Sequence, residues 1–156
     1  MREILFRGKS DIGNVWEYGY LSVQYDEDEN KGVFIEKENG VKFPVIPQTV
    51  GQYIGLTDKN GKKIFEGDIV KQTFETTIEE KGEDDTYIYG YDIGEVILIS
   101  SRGACIKNPY QHREIDGDIA KEYEKTKMCK NIVSYRCEVI GNIYDNSELL
   151  EAGLNG

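Results

Sequence analysis

The sequence predicts a mainly β protein, β-rich α+β at most. Its expected form is a small antiparallel barrel-like or curled sheet of about eight to ten short strands with one or two short helices. Three observations carry this. Apolar and polar residues alternate with period two through short segments such as "REILFRG" and "TYIYGY". Eleven tyrosines supply amphipathic bulk suited to sheet faces and interfaces. Asn-Gly and acid-glycine pairs break these segments at hairpin spacing. The 156 residues fit a single domain over 1–156, divisible into an N-terminal β subdomain over 1–48 and a barrel-like part over 49–150. A chain of this length buries about 70% of its unfolded surface, enough for a core without metal or disulfides.

The elements follow in order. Residues 2–8 alternate and read as a strand, and "DIGN" turns the chain through Gly13 and Asn14. Residues 15–25, "VWEYGYLSVQY", form a second strand with a bend at Gly19, closed by the acidic turn "DEDENKG". Residues 33–36 and 41–46 make a hairpin around Asn39-Gly40, and Pro44 and Pro47 place its end at a sheet edge or connection. Tyr53, Ile54 and Leu56 begin the next hairpin. Its reversal is "DKNG", where Asp58 can accept backbone N–H groups and Gly61 supplies a left-handed conformation. "KKIF" returns, and "EGD" makes a second corner with Gly67 and Asp68 in the same two roles. Gly51 and Gly55 mark a bend or a close backbone approach.

Residues 75–85, "ETTIEEKGEDD", are acidic and nearly devoid of core residues; they read as a mobile loop or an extended hairpin arm. "TYIYGY" and the more apolar "GEVILIS" are strands, "SRG" is a turn and "ACIK" the return strand. "NPYQHRE" reads as a polar loop. The longer helix is expected over 116–129, "DGDIAKEYEKTKMC", with Asp116 or Asp118 as its cap and a thin apolar stripe of Ile119, Ala120 and Tyr123. "VSYRCEVIGNIYDN" is a closing strand. "SELLE" is a terminal turn that Asn146 or Ser147 can cap.

Composition narrows the function. Twenty-nine acids against nineteen bases give a net charge of −10, which repels nucleic-acid phosphate and favours a basic protein partner. Lys121, Lys125, Lys127 and Lys130 cluster, and read as the solvated side of the expected helix. The first apolar run is interrupted by charge, unlike a signal peptide, and no run approaches a membrane span. Cys105, Cys129 and Cys137 are therefore expected to be reduced thiols in a cytoplasm.

Chemistry finds little footing. The stretch 51–71 lacks the G-x-x-x-x-G-K-[ST] pattern and leads into a strand, so no phosphate cradle is expected. With no C-x-x-C and His112 the sole histidine, no metal or other cofactor is expected. Cys105 with His112 could in principle form a nucleophile and base, and reads better as a core cysteine and an exposed histidine. Asp58, Glu66 and Asp68 lack calcium-loop spacing and read as turn stabilisers. Tyr87, Tyr89 and Tyr91 would line one sheet face. Their acidic surroundings favour a protein interface over nucleic-acid stacking, which stays as the alternative.

Three blocks resemble the YopX family of phage and prophage proteins: "REILFRGK" followed by "WEYGYL", the long "TVGQYIGLTDKNGKKIFEGDIVK", and "EVIGNIYDNSELL". "IGEVILISSRGACI" resembles the paired strands that precede a variable segment in that family. Ser147 stands where the closing motif commonly has proline; proline suits the first helical position and serine a cap. The acidic insert over 75–91 looks expanded. The resemblance implies a phage or prophage origin, a cytoplasmic location, a β-rich fold and a homo-oligomer; it implies no reaction. Residues and resemblance together lead to a non-enzymatic, self-associating accessory protein that binds protein, a basic host or phage protein being the expected partner. A nucleic-acid-binding accessory factor is the second reading, and an enzyme the third.

Overall fold

The computed structural model describes residues 3–79 and 81–151. These divide into two compact units. One holds residues 3–56 and 63–66, the other 57–62 and 67–151.

The first unit is a six-stranded antiparallel sheet in the order β4-β3-β2-β1-β5-β6. Its strands are β1 (Phe6–Lys9), β2 (Trp16–Tyr25), β3 (Lys31–Glu36), β4 (Lys42–Pro44), β5 (Gly51–Thr57) and β6 (Lys63–Phe65). Thr57, the last residue of β5, belongs to the second unit. β2 pairs with β1 from Trp16 to Gly19 and with β3 from Tyr20 to Tyr25. Gly19 permits the handover: a Cβ there would meet the Glu36 carbonyl oxygen at 2.3 Å. Val33, Ile35 and Val45 form a core with Phe6 and Val50 packed on it. Arg7, also buried, lies over the Trp16 ring at 4.6 Å and the Phe65 ring at 5.1 Å.

The second unit is a sheet in the order β10-β9-β8-β7-β12, with β11 added against β9. Its strands are β7 (Asp68–Ile78), β8 (Thr86–Ile99), β9 (Gly103–Ile115), β10 (Asp118–Lys125), β11 (Cys129–Asn131) and β12 (Cys137–Asn142). Ile69, Val70, Val96, Cys105, Ile106 and Cys137 are fully buried. Within "GEVILIS" Gly94 and Val96 are buried on one face, and Ile97, Leu98 and Ile99 are half-buried, so the contiguous run is packed in part on both faces.

The mainly β class holds, with corrections in detail. Neither sheet closes into a barrel. The helix expected over 116–129 is instead β10. Asp116 (φ 49°) and Gly117 (φ 87°) are consecutive left-handed residues, the geometry of a two-residue hairpin turn, and Asp118 pairs with Ile115 across it. Among the described residues the helical content consists of three 3₁₀ turns, at Pro47–Thr49, Ser134–Arg136 and Ser147–Leu150. The last has no side-chain cap. The Asn146 carboxamide oxygen accepts the Asn142 N–H (3.2 Å), and Ser147 makes no capping bond.

"NPYQHRE" is strand rather than loop, because Pro109 sits at a bulge. Asn108 has φ 39°, and the β8 pairing steps from Tyr110 to Lys107 there. Strand pairing runs out to Ile78–Thr86, so residues 75–78 of the acidic segment continue β7 as a hairpin arm, while 79 and 81–85 lie beyond the strands.

Candidate functional site

The arm of β7 and β8 places the tyrosines. Pairing along it sets Thr77 opposite Tyr87, Glu75 opposite Tyr89 and Thr73 opposite Tyr91. On the other side β9 sets Glu114 opposite Tyr89 and His112 opposite Tyr91. Residues two apart on a strand share a face, so the three tyrosines do as well. They do not share an environment. Tyr87 is 44% exposed and Tyr89 39%, and their rings stack at 6.5 Å with planes 7° apart. Tyr91 is half-buried, stacked on His112 at 5.0 Å and covered by Lys71, whose Nζ lies 4.2 Å from the ring centroid. The Tyr87 N–H donates to the Asp116 carboxylate (2.9 Å), and the Asp116 N–H donates to the Tyr87 carbonyl (2.9 Å). The accessible surface is therefore the Tyr87–Tyr89 pair, with Glu75 and Glu114 flanking it.

The opposite face holds a polar row that sequence reasoning missed. Gln72, Asp92 and Gln111 are all buried and lie side by side on β7, β8 and β9. Gln111 Nε2 donates to Asp92 Oδ1 (3.1 Å). Gln72 Nε2 donates to the Asn131 carbonyl (2.9 Å), and its Oε1 accepts the Val133 N–H (2.7 Å). Burial pushes the Asp92 carboxyl above the usual range, opposed by the Gln111 bond and the Lys130 charge. The signal was present: alternation that points Tyr91 one way points Asp92 to the side of Ile88.

Asp58 and Gly61 meet in one tight turn. Asp58 Oδ1 accepts the N–H groups of Asn60 and Lys62 (2.9 Å each), and Gly61, at φ 81°, donates to the Asp58 carbonyl (3.0 Å). Burial opposes ionisation of Asp58, and N–H donation from Val139, Lys62 and Asn60 outweighs it, holding the carboxyl below its ordinary value. Gly67 (φ 87°) donates to the Val96 carbonyl (2.9 Å) and accepts the Ile143 N–H (2.9 Å). Asp68 is buried at the start of β7, opposite Asn142. Burial, then the Asp58 and Asp68 charges, pushes the Cys137 thiol up to about 12. Glu66 serves elsewhere: its Oε1 accepts the Gln52 N–H (3.2 Å).

Cys105 and His112 do not meet. They are seven residues apart on the extended β9, roughly 20 Å at strand rise, and Cys105 is fully buried. His112 instead pairs with Glu114 (3.1 Å). Of the clustered lysines, Lys125 lies over the Tyr110 ring at 5.6 Å, on a strand rather than a helix. Among the described residues no helix is long and apolar enough to cross a membrane.

Two open antiparallel sheets, one bearing an acidic arm with a solvent-exposed tyrosine pair, define a mainly β protein. The family described as YopX protein matches residues 5–151, and the chain belongs to that family. A search of the curated proteins finds no match. A solved structure, protein EF1440 from Enterococcus faecalis, is 21% identical, covers 97% of this chain and 100% of its own, and superposes with a TM-score of 0.44.

Proposed function

We propose that this chain is a phage or prophage accessory protein that works in the host cytoplasm without catalysis. It binds protein and associates with itself. The observation that carries the reading is the Tyr87–Tyr89 pair, two large stacked rings held open to solvent by a paired hairpin arm. Rings of this kind are anchors of protein interfaces: large apolar area at little entropic cost, with a polar tip for the rim. Glu75 and Glu114 beside the rings, and the acids of the arm tip, select a basic partner surface and disfavour a phosphate backbone.

The test is sedimentation velocity of the purified chain over a wide concentration range, joined to capture of partners from induced host cells at moderate salt. The wild type is expected to form a concentration-dependent oligomer and to recover a basic protein that a Tyr87→Ala/Tyr89→Ala variant does not recover. A monomer that recovers no protein overturns the reading. Tight DNA or RNA binding with a steep salt slope would move it to the nucleic-acid class.

A further inference from the structure

β2 carries an open edge. After Gly19 it pairs with β3 alone among the described residues, because β1 is opposite it only from Phe6 onward. At Leu5 the backbone turns to β5, its carbonyl accepting the Tyr53 N–H (2.8 Å). The divergence leaves a groove of about 510 Å³ lined by Ile4, Leu5, Tyr18 and Tyr20, with Glu3, Lys37 and Glu38 beside them.

The direction of the backbone groups follows from the two adjoining turns. The Asp26 N–H donates to the Asn30 carbonyl (3.0 Å), so the hydrogen-bonded pairs with β3 are Gln24–Gly32, Ser22–Phe34 and Tyr20–Glu36. On the other side the Ser10 N–H donates to the Val15 carbonyl (2.8 Å), which makes Gly8–Glu17 and Phe6–Gly19 the pairs with β1. Both agree that Leu21, Val23 and Tyr25 aim N–H and C=O away from β3, along the open edge. Their side chains are exposed as well, Tyr25 to 67%. Exposed sheet edges are commonly blunted by charge, proline or a bulge. This one has none of these: "YLSVQY", residues 20–25, is uncharged in a chain that is 31% charged.

We infer that this edge is where a second copy of the chain docks, adding its own β2 in antiparallel sense across a two-fold axis at Val23. The inference rests on the self-association proposed above. Opposed residues must both aim their backbone groups across the new seam. The register centred on Val23 does this. It sets Val23 against Val23, Leu21 against Tyr25 and Ser22 against Gln24, so that apolar meets apolar and polar meets polar. Neutrality selects the occupant. Two chains of net charge −10 repel over most of their surface, and this line brings no like charges together.

Sedimentation equilibrium of the wild type and of Val23→Pro, with amide hydrogen exchange of both, tests the inference. Proline removes an N–H that β3 does not use and suits an edge position. The expected result is a wild-type oligomer in which the Leu21, Val23 and Tyr25 amides gain protection as concentration rises. In Val23→Pro the dissociation constant should rise by about tenfold or more, because the two-fold pairing loses both Val23 N–H bonds, one from each copy. An oligomer whose amides at these positions stay fast, or whose dissociation constant Val23→Pro leaves unchanged, overturns the docking edge and leaves self-association standing. A wild type that is monomeric at every concentration overturns both.

Discussion

Asp58 Oδ2 accepts the Val139 N–H at 3.0 Å while Oδ1 of the same carboxylate caps its own turn. One side chain thus shapes the "DKNG" reversal and fastens it to β12, eighty-one residues further along. The Lys59 N–H donates to the Cys137 carbonyl (2.9 Å) beside it, and Lys59 pairs with Glu138 (3.3 Å). A local turn signal is therefore also a long-range fastening.

Asp58→Ala should lower stability by about 2–4 kcal/mol, because buried N–H groups lose a charged acceptor. Asp58→Asn, which keeps one acceptor oxygen, should lose less. The folded carboxyl titrates below its ordinary value of 3.8. Its contribution is thus fully present above that pH and is lost as pH falls through the folded pKa. Chemical denaturation of wild type and Asp58→Asn from neutral to acid pH should show the gap between them narrowing at the acid end. A gap constant with pH would mean that the charge contributes nothing.

Much of this architecture was legible. Turn chemistry located the reversals at Asn39-Gly40, Asp58–Gly61 and Glu66–Asp68, since a left-handed glycine or a capping acid has few other uses. Two things were hidden for physical reasons. The segment 118–125 has a weak pattern of either period, and the Asp116-Gly117 turn with its pairing to β9 decided it as strand. The burial of Asp92 depends on Gln72 and Gln111, which lie far from it in sequence and meet it only through the register of β7, β8 and β9. The split of roles among the three tyrosines was hidden likewise, because Lys71 and His112 cover Tyr91 from neighbouring strands.

Asp92→Asn should leave the fold intact and match or exceed wild-type stability at pH 7. The carboxyl is raised above its ordinary 3.8 chiefly by burial, so its ionisation costs the folded state. Asparagine keeps an oxygen for Gln111 without the charge. The sign runs opposite to Asp58. The cost is absent below the unfolded pKa, develops as pH rises between the unfolded and folded values, and stays constant above. The advantage of Asp92→Asn should accordingly vanish in thermal melts below pH 4 or so. A loss of more than about 1 kcal/mol at pH 7 would show that ionised Asp92 holds the row together.

Replacing Tyr87 and Tyr89 by alanine should change stability by about 1 kcal/mol or less, since both rings are substantially solvated. Tyr91→Ala should cost more, through the lost stack on His112 and the lost cover of Lys71. Denaturant titration ranks the three. Equal losses at all three positions would contradict the division into a surface pair and a packed ring.

The thiols should differ in reactivity. Cys105 and Cys137 are buried, and burial with two nearby carboxylates holds the Cys137 thiol at about 12. Cys129 is half-buried. Iodoacetamide at mildly alkaline pH should modify Cys129 first in the folded chain, and all three only after denaturation, as read by peptide mass spectrometry. Early labelling of Cys137 would mean that β12 opens readily from β7.

Gly117→Ala tests the strand that replaced the expected helix. At φ 87° a Cβ is strained even though no heavy atom lies within 4 Å of its position, so the cost is conformational rather than steric crowding. In a helix the same substitution would stabilise, because alanine exceeds glycine in helix propensity by about 1 kcal/mol. The hairpin turn therefore predicts a loss of about 1 kcal/mol, and a helix predicts a gain of similar size. Equilibrium denaturation separates the two by sign. A stabilised Gly117→Ala with increased helical circular dichroism would restore the helix and remove β10.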